Sequence, residues 1–169
     1  MIMYTESLDL SITAAQLLCH LQSSTVQAYS PLSCGYTHSY ELQSLPDFRL
    51  MEGLIVPPHT DGVAGYRPIL VLHNPSNIYT IRGTSQRFSA QKRGTMVILD
   101  IDSPHEVHSK DPNCNFGPWS GLVWGQKGQP LIKSEWTVES VVTKAKAEFL
   151  ALSSALQSNL STLAAASML

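Results

Sequence analysis

Charge is scarce in this sequence. Only 14% of its 169 residues are Asp, Glu, Lys or Arg, and thirteen acids against eleven bases leave a net charge of −2. No basic face follows from that balance, so a nucleic-acid partner held through its phosphate backbone is not expected. Cysteine is rarer still: Cys19, Cys34 and Cys114 are odd in number and show no CxxC spacing. That argues against a disulfide framework or a thiolate zinc site and for a reducing compartment. No apolar run approaches the ~18 residues of a membrane span. The opening MIMYTESLDL has an acid where a secretory leader wants positive charge. The expectation is a cytoplasmic protein without a membrane partner. No internal repeat is visible, and only the Ala/Ser/Leu tail is of low complexity.

What is abundant is apolar surface, at 43% of residues. A chain of this length reads as one domain, 1–169, able to bury ~70% of its unfolded surface. Three zones follow. In residues 9–23, Ile12, Ala15, Leu18 (or Cys19) and Leu21 (or Gln22) mark one face of a short helix, with Thr13 and Gln16 spaced as a capping box. Residues 24–47, rich in Ser, Tyr and Pro, read as loops with at most one short strand. Residues 48–126 hold the β core, with runs at 50–56, 67–74, 77–83, 86–91, 95–101, 105–110 and 120–126. Pro, Gly, Asn and Asp separate them, each a turn former for a stated reason. Short strands without intervening helices suggest an antiparallel barrel or sandwich.

Residues 134–166 carry Val138, Val142, Ala145, Phe149, Leu152, Leu156, Leu160 and Leu163 at helical spacing. A helix of ~30 residues would run ~45 Å. Either it packs along the outside of the sheet, or its distal half forms a homodimer seam.

The chemistry-bearing segments are VPPHTDG (56–62) and GTMVILDIDSPHEVH (94–108). In an extended strand, His59 and Asp61 would project to one face. A third ligand from a later strand, His105 or His108, would complete two imidazoles and a carboxylate. That set leaves three open positions on a six-coordinate ion, as in the facial triad of non-haem Fe(II) oxygenases.

The second segment resembles the distal motif of the 2-oxoglutarate- and Fe(II)-dependent dioxygenases, particularly their prolyl-hydroxylase-like branch. It has a glycine-led apolar strand (Gly94, then 96–101) followed by Pro104-His105-Glu106-Val107, and HxD precedes it. The resemblance covers roughly residues 50–125. It implies a mainly β fold, a double-stranded β-helix (a jelly-roll or cupin-like barrel) flanked by helices. It also implies His105 as third ligand, in the family's position after the proline. Alternation would turn His108 to the opposite face. His20, His38 and His73 lack partners at ligand spacing and read as structural.

The family usually clamps the far carboxylate of 2-oxoglutarate with an Arg on the last barrel strand, because a guanidinium matches a carboxylate bidentately. Here Pro118 or Trp119 stands at that place, and no arginine follows Arg93. Some branches put the base on an earlier strand. Arg82 in NIYTIRG is the foremost substitute, with Thr80 adding a hydroxyl; Arg67 and then Lys110 are the next candidates. Trp119 and Trp124 are candidates for an apolar pocket wall, with the loop 110–119 as a rim, while Cys114 is assigned no chemistry. The expected function is an Fe(II)/2-oxoglutarate-dependent oxygenase hydroxylating a C–H bond of a protein side chain or a metabolite. The competing expectations are a cupin-like metal- or ligand-binding module that has lost catalysis, and a cupin-type enzyme that uses no 2-oxoglutarate.

Overall fold

Thr13 decides where the first helix begins. Its Oγ1 accepts the N–H of Gln16 at 3.1 Å, and Gln16 Oε1 accepts the N–H of Thr13 at 3.0 Å. This is the reciprocal box read from the sequence, and it starts α1 at Ala14–Ser23. Residues 9–13 therefore stay outside the helix. The buried face is Ala14, Leu17 and Leu21, rotated from the one expected through Ala15.

The computed structural model describes residues 1–28, 37–125 and 129–167; Cys34 and Gln126 lie outside them. Eleven strands are described: β1 (Ile2–Ser7), β2 (Thr25–Ala28), β3 (Thr37–Leu42), β4 (Phe48–Gly53), β5 (Val56–His59), β6 (Gly65–His73), β7 (Tyr79–Gly83), β8 (Thr95–Asp100), β9 (His105–Ser109), β10 (Trp119–Trp124) and β11 (Leu131–Ile132). A second helix, α2 (Val138–Ser167), follows. Every ladder is antiparallel. The larger sheet runs β1-β8-β6-β10-β4-β3-β2, with β11 added beside β6; the smaller runs β5-β9-β7.

The barrel expectation is corrected by this pairing. Among the described residues no ladder joins the two sheets, so the fold is a mixed α/β arrangement of open antiparallel sheets with two helices, not a closed jelly roll. The free edge of β7 shows a physical reason. Its outward backbone groups are taken by side-chain amides: Tyr79 by Asn74, Ile81 by Gln91, and the N–H of Gly83 by Gln86. A strand whose edge is already satisfied offers nothing for a next strand to pair with. The run 86–91, expected as a strand, instead supplies two of those amides. The run 50–56 is also divided, since β4 and β5 belong to different sheets.

Alternation along the larger sheet separates two apolar clusters. Leu50, Leu70, Leu72, Met96, Ile98, Leu122 and Trp124 face the helices. Met51, Ile69, Val71, Val97, Leu99, Trp119 and Val123 face the smaller sheet and meet Val56, Tyr79, Ile81 and Val107. Each fully buried Leu, Ile or Val contributes ~1.5–3 kcal/mol. Helix α2 lays Val141, Ala145, Phe149, Leu152 and Leu156 on the sheet, with Phe149 and Phe48 ring centroids 6.1 Å apart. Beyond Leu156 the helix leaves the body: Leu160 is 43% and Leu163 67% exposed. Among the described residues, no helix is long and apolar enough to cross a membrane.

Candidate metal centre

β5 carries Pro57 and Pro58, which lack an N–H and are tolerated because β5 is an edge strand. Val56 pairs with Val107 and His59 with His105, so three steps on β5 match two on β9. This bulge re-aims the strand. Without it, Val56 and His59 would face opposite sides; with it, both border the space between the sheets.

Asp61 reaches the same place by another route than strand alternation. It lies past the end of β5, where its N–H donates to Ile101 C=O at 2.8 Å, and Gly62 at φ +72° carries the turn onward. His105 opens β9, immediately after the turn that closes β8.

His59, Asp61 and His105 thus form a cluster able to hold a metal ion, each offering one ligand atom within 4.8 Å of the others. Nε2 of each histidine stands 3.4 Å from Asp61 Oδ1. The far ring nitrogens are tied back: Nδ1 of His59 to Pro57 C=O and Nδ1 of His105 to Ser103 C=O, both at 2.8 Å. A carbonyl only accepts, so each Nδ1 carries a proton. In the neutral rings each Nε2 then presents a lone pair to the carboxylate. Three acceptors facing one another repel unless a proton or a cation lies between them. Such backing of Nδ1 is the usual support of a metal-ligating histidine.

The other oxygen, Asp61 Oδ2, lies 2.8 Å from Nη1 of Arg67. The contact is an ion pair only, since this buried oxygen receives no directed hydrogen bond. Burial pushes the Asp61 carboxyl up, but when the imidazoles are protonated the hydrogen bond from His105 and the charges of Arg67, His105 and His59 outweigh it and hold the group below its ordinary value. The donor set and the incompletely satisfied carboxylate together fit a divalent cation.

Side-chain exposure rises from 6% at His105 to 28% at His59, so the cluster opens to solvent on the His59 side. On its other side lies a narrow cleft of about 40 Å³ between the sheets. Met51, Val56, Ile69, Ile81, Leu99 and Trp119 give it apolar walls, and Arg67, Thr37 and Glu106 add polar groups. Thr37 is fully buried, and its Oγ1 has no partner. Gly121 makes room for the indole of Trp119: a Cβ there would stand 2.9 Å from Ile69 Cγ2 and 3.1 Å from the Trp119 ring. The indole N–H of Trp119 donates to Leu54 C=O at 3.0 Å.

The other sequence candidates are placed elsewhere. Arg82 pairs through Nε with Glu106 at 2.8 Å. With Tyr79 and Ile81 turned into the inter-sheet cluster, alternation puts Thr80 and Arg82 on the outer face of the small sheet, and neither lines the cleft. Trp124, five residues past Trp119, faces the helices and meets Trp136 edge-on with centroids 6.0 Å apart, so it is no wall of this cleft. His108 is exposed opposite Thr80, and Lys110 is exposed as well. His20, His38 and His73 lie outside the cluster. Sequence reasoning did not single out Thr37 or the backbone carbonyls that orient the two imidazoles; spacing gives no signal for either. In comparisons with known proteins, the chain matches no family model and no curated protein.

Proposed function

We propose that the chain is an Fe(II)-dependent oxygenase that uses 2-oxoglutarate and dioxygen to hydroxylate a C–H bond of a protein side chain or a metabolite. One observation carries this reading: two imidazole Nε2 atoms and one carboxylate oxygen converge on a single point, leaving the rest of a six-coordinate shell to exogenous ligands. When bound, iron with this co-substrate supplies the oxidising power: the substrate gains one oxygen atom, and 2-oxoglutarate leaves as succinate and CO₂.

The chain's own residues have separate tasks. His59 and His105 offer neutral nitrogens fixed by Pro57 and Ser103, and Asp61 offers one negative oxygen. Arg67 engages the other oxygen, which favours single-oxygen ligation. Arg67 also borders the cleft, so its remaining N–H groups are the base best placed to receive a co-substrate carboxylate. Arg82, committed to Glu106, is less well placed for that task. Met51, Ile69, Ile81, Leu99 and Trp119 exclude water from the inner side.

A second reading, a metal- or ligand-binding module without oxygenase chemistry, is favoured by the tightness of the cleft and by the lack of any arginine after Arg93. Anaerobic titration with Fe(II) and then 2-oxoglutarate separates the two. A weak visible charge-transfer band, with succinate formed once air is admitted, supports the oxygenase. Iron uptake with neither band nor succinate supports the module. No iron uptake overturns the oxygenase and an iron-holding module alike, and favours a module that binds a ligand without iron.

A further inference from the structure

The short connection between β8 and β9 supports more of the metal centre than its length suggests. Ile101 C=O accepts the Asp61 N–H at 2.8 Å, and Ser103 C=O accepts the His105 Nδ1–H at 2.8 Å. The turn is also tied to its surroundings, by Ile101 N–H to Gly65 C=O at 3.1 Å and by Thr84 N–H to Pro104 C=O at 3.0 Å. Two of the three ligand residues therefore take their aim from one turn.

The shape of that turn is set by Asp100. Its carboxylate, with 7% of the side chain exposed, accepts the Ser103 hydroxyl at 3.1 Å and the Asp102 N–H at 3.3 Å. A buried carboxylate without a counter-charge is strongly unfavourable. Lys133 supplies that charge, with Nζ 2.9 Å from Asp100 Oδ1 and a second contact to Asp102. Lys133 is itself held in place. It directly follows β11, which pairs with the start of β6; its N–H donates to Ala64 C=O at 3.0 Å; and its ammonium lies 5.4 Å from the Tyr66 ring centre.

We propose that Lys133 and Asp100 are positioning residues of the metal centre. Their ion pair fixes the β8–β9 turn so that the Ser103 carbonyl holds His105 with Nε2 facing Asp61, and the Ile101 carbonyl holds Asp61 in reach. Neither residue touches the ion. The proposal rests on the triad being a metal site, and the experiment separates the two claims.

Co(II) alone is titrated into the full chain and its variants, with absorption bands and affinity as the readouts. Lys133→Met and Asp100→Asn should weaken Co(II) binding about 10-fold, the low end of the effect of losing a direct outer contact, because they act on the ligands through the turn. Lys133→Arg, which keeps the charge, should restore most of it. Leu152→Ala, a core change beneath α2, lowers stability without touching the turn and should leave affinity unchanged. In the metal-free protein, nitrogen-15 NMR should show His105 with its proton on Nδ1, and Lys133→Met should lose that fixed tautomer. Native affinity and an unchanged tautomer in Lys133→Met would overturn this proposal alone, as would an equal affinity loss in Leu152→Ala. A wild-type chain that takes up no Co(II) would overturn the metal site and the proposal together.

Discussion

Gln91 lies beside Ile81 as a neighbouring strand would. Its Oε1 accepts the Ile81 N–H at 2.9 Å and its Nε2 donates to the Ile81 C=O at 2.8 Å. Asn74 does the same for Tyr79, at 3.0 and 2.9 Å. Gln86 Oε1 accepts from both Gly83 and Ile2, one residue from each sheet, and so bridges their edges with a single carboxamide. Replacing Gln91 by Leu should cost about 2–4 kcal/mol, because two buried backbone groups lose their partners. Urea denaturation measures this; a change under 0.5 kcal/mol would mean that water satisfies the edge equally well.

Metal uptake should appear as thermal stabilisation that depends on the triad. A cation at ~100 times its dissociation constant stabilises the native chain by about 2.7 kcal/mol. His105→Ala and Asp61→Asn should abolish that gain, seen as no rise of Tm on adding Co(II). His108→Ala should keep it in full, since His108 is on the outer face. Equal losses in all three variants would remove the triad as the binding site.

The two arginines near the centre should separate cleanly. Arg67→Met should lower 2-oxoglutarate affinity by at least tenfold while the chain still takes up metal, because Arg67 borders the cleft. Arg82→Met should leave that affinity unchanged and lose at most ~1 kcal/mol of stability, the worth of a partly exposed ion pair. Calorimetric titration of the metal-loaded chain decides between them; the opposite ranking would restore Arg82 as the clamp.

Acid should expose the contribution of Asp100. Burial pushes its carboxyl up, but contacts with Asp102, Lys133 and Ser103 prevail and bring it from 3.8 down to about 2. Between those values the unfolded chain binds the proton and the folded chain does not. The stabilisation is therefore fully present above the ordinary carboxylate range and drains away as pH falls toward 2. Its size is on the order of 2 kcal/mol. The stability difference between wild type and Asp100→Asn should be largest near neutrality and should narrow below about pH 4. A difference that stays constant with pH would show that the charge of Asp100 is irrelevant.

The candidate cluster was legible in the sequence because HxD and Pro-His-Glu-Val are local patterns, and the structure brings His59, Asp61 and His105 together as a group able to hold a metal ion. The physical route was not. His59 and Asp61 converge through a Pro-Pro bulge and a turn, whereas alternation alone would have required an unbroken strand. The Thr13–Gln16 cap was legible for the same local reason. Closure of the barrel was not, because it depends on which groups satisfy a strand edge, and a glutamine that mimics a strand looks like any polar loop residue. Arg82 and Trp124 show the same gap: alternation gives two faces but does not say which one is inward until packing chooses. β1, β3 and β11 escaped notice because their apolar residues are few or their runs are very short.

The amide bridge at Gln86 has a mechanical consequence. A continuous ladder would have to unzip bond by bond for the two sheets to part, each break loading the next. Along this flank the two sheets are joined by the carboxamide of Gln86, bonded to Ile2 and Gly83, and by the apolar contact of Ile2 with the cluster that holds Tyr79 and Ile81. The smaller sheet, which brings both histidines, is therefore held to β1 by a side-chain latch over shared apolar packing, so the spacing between the sheets at this edge is set by the reach of one glutamine.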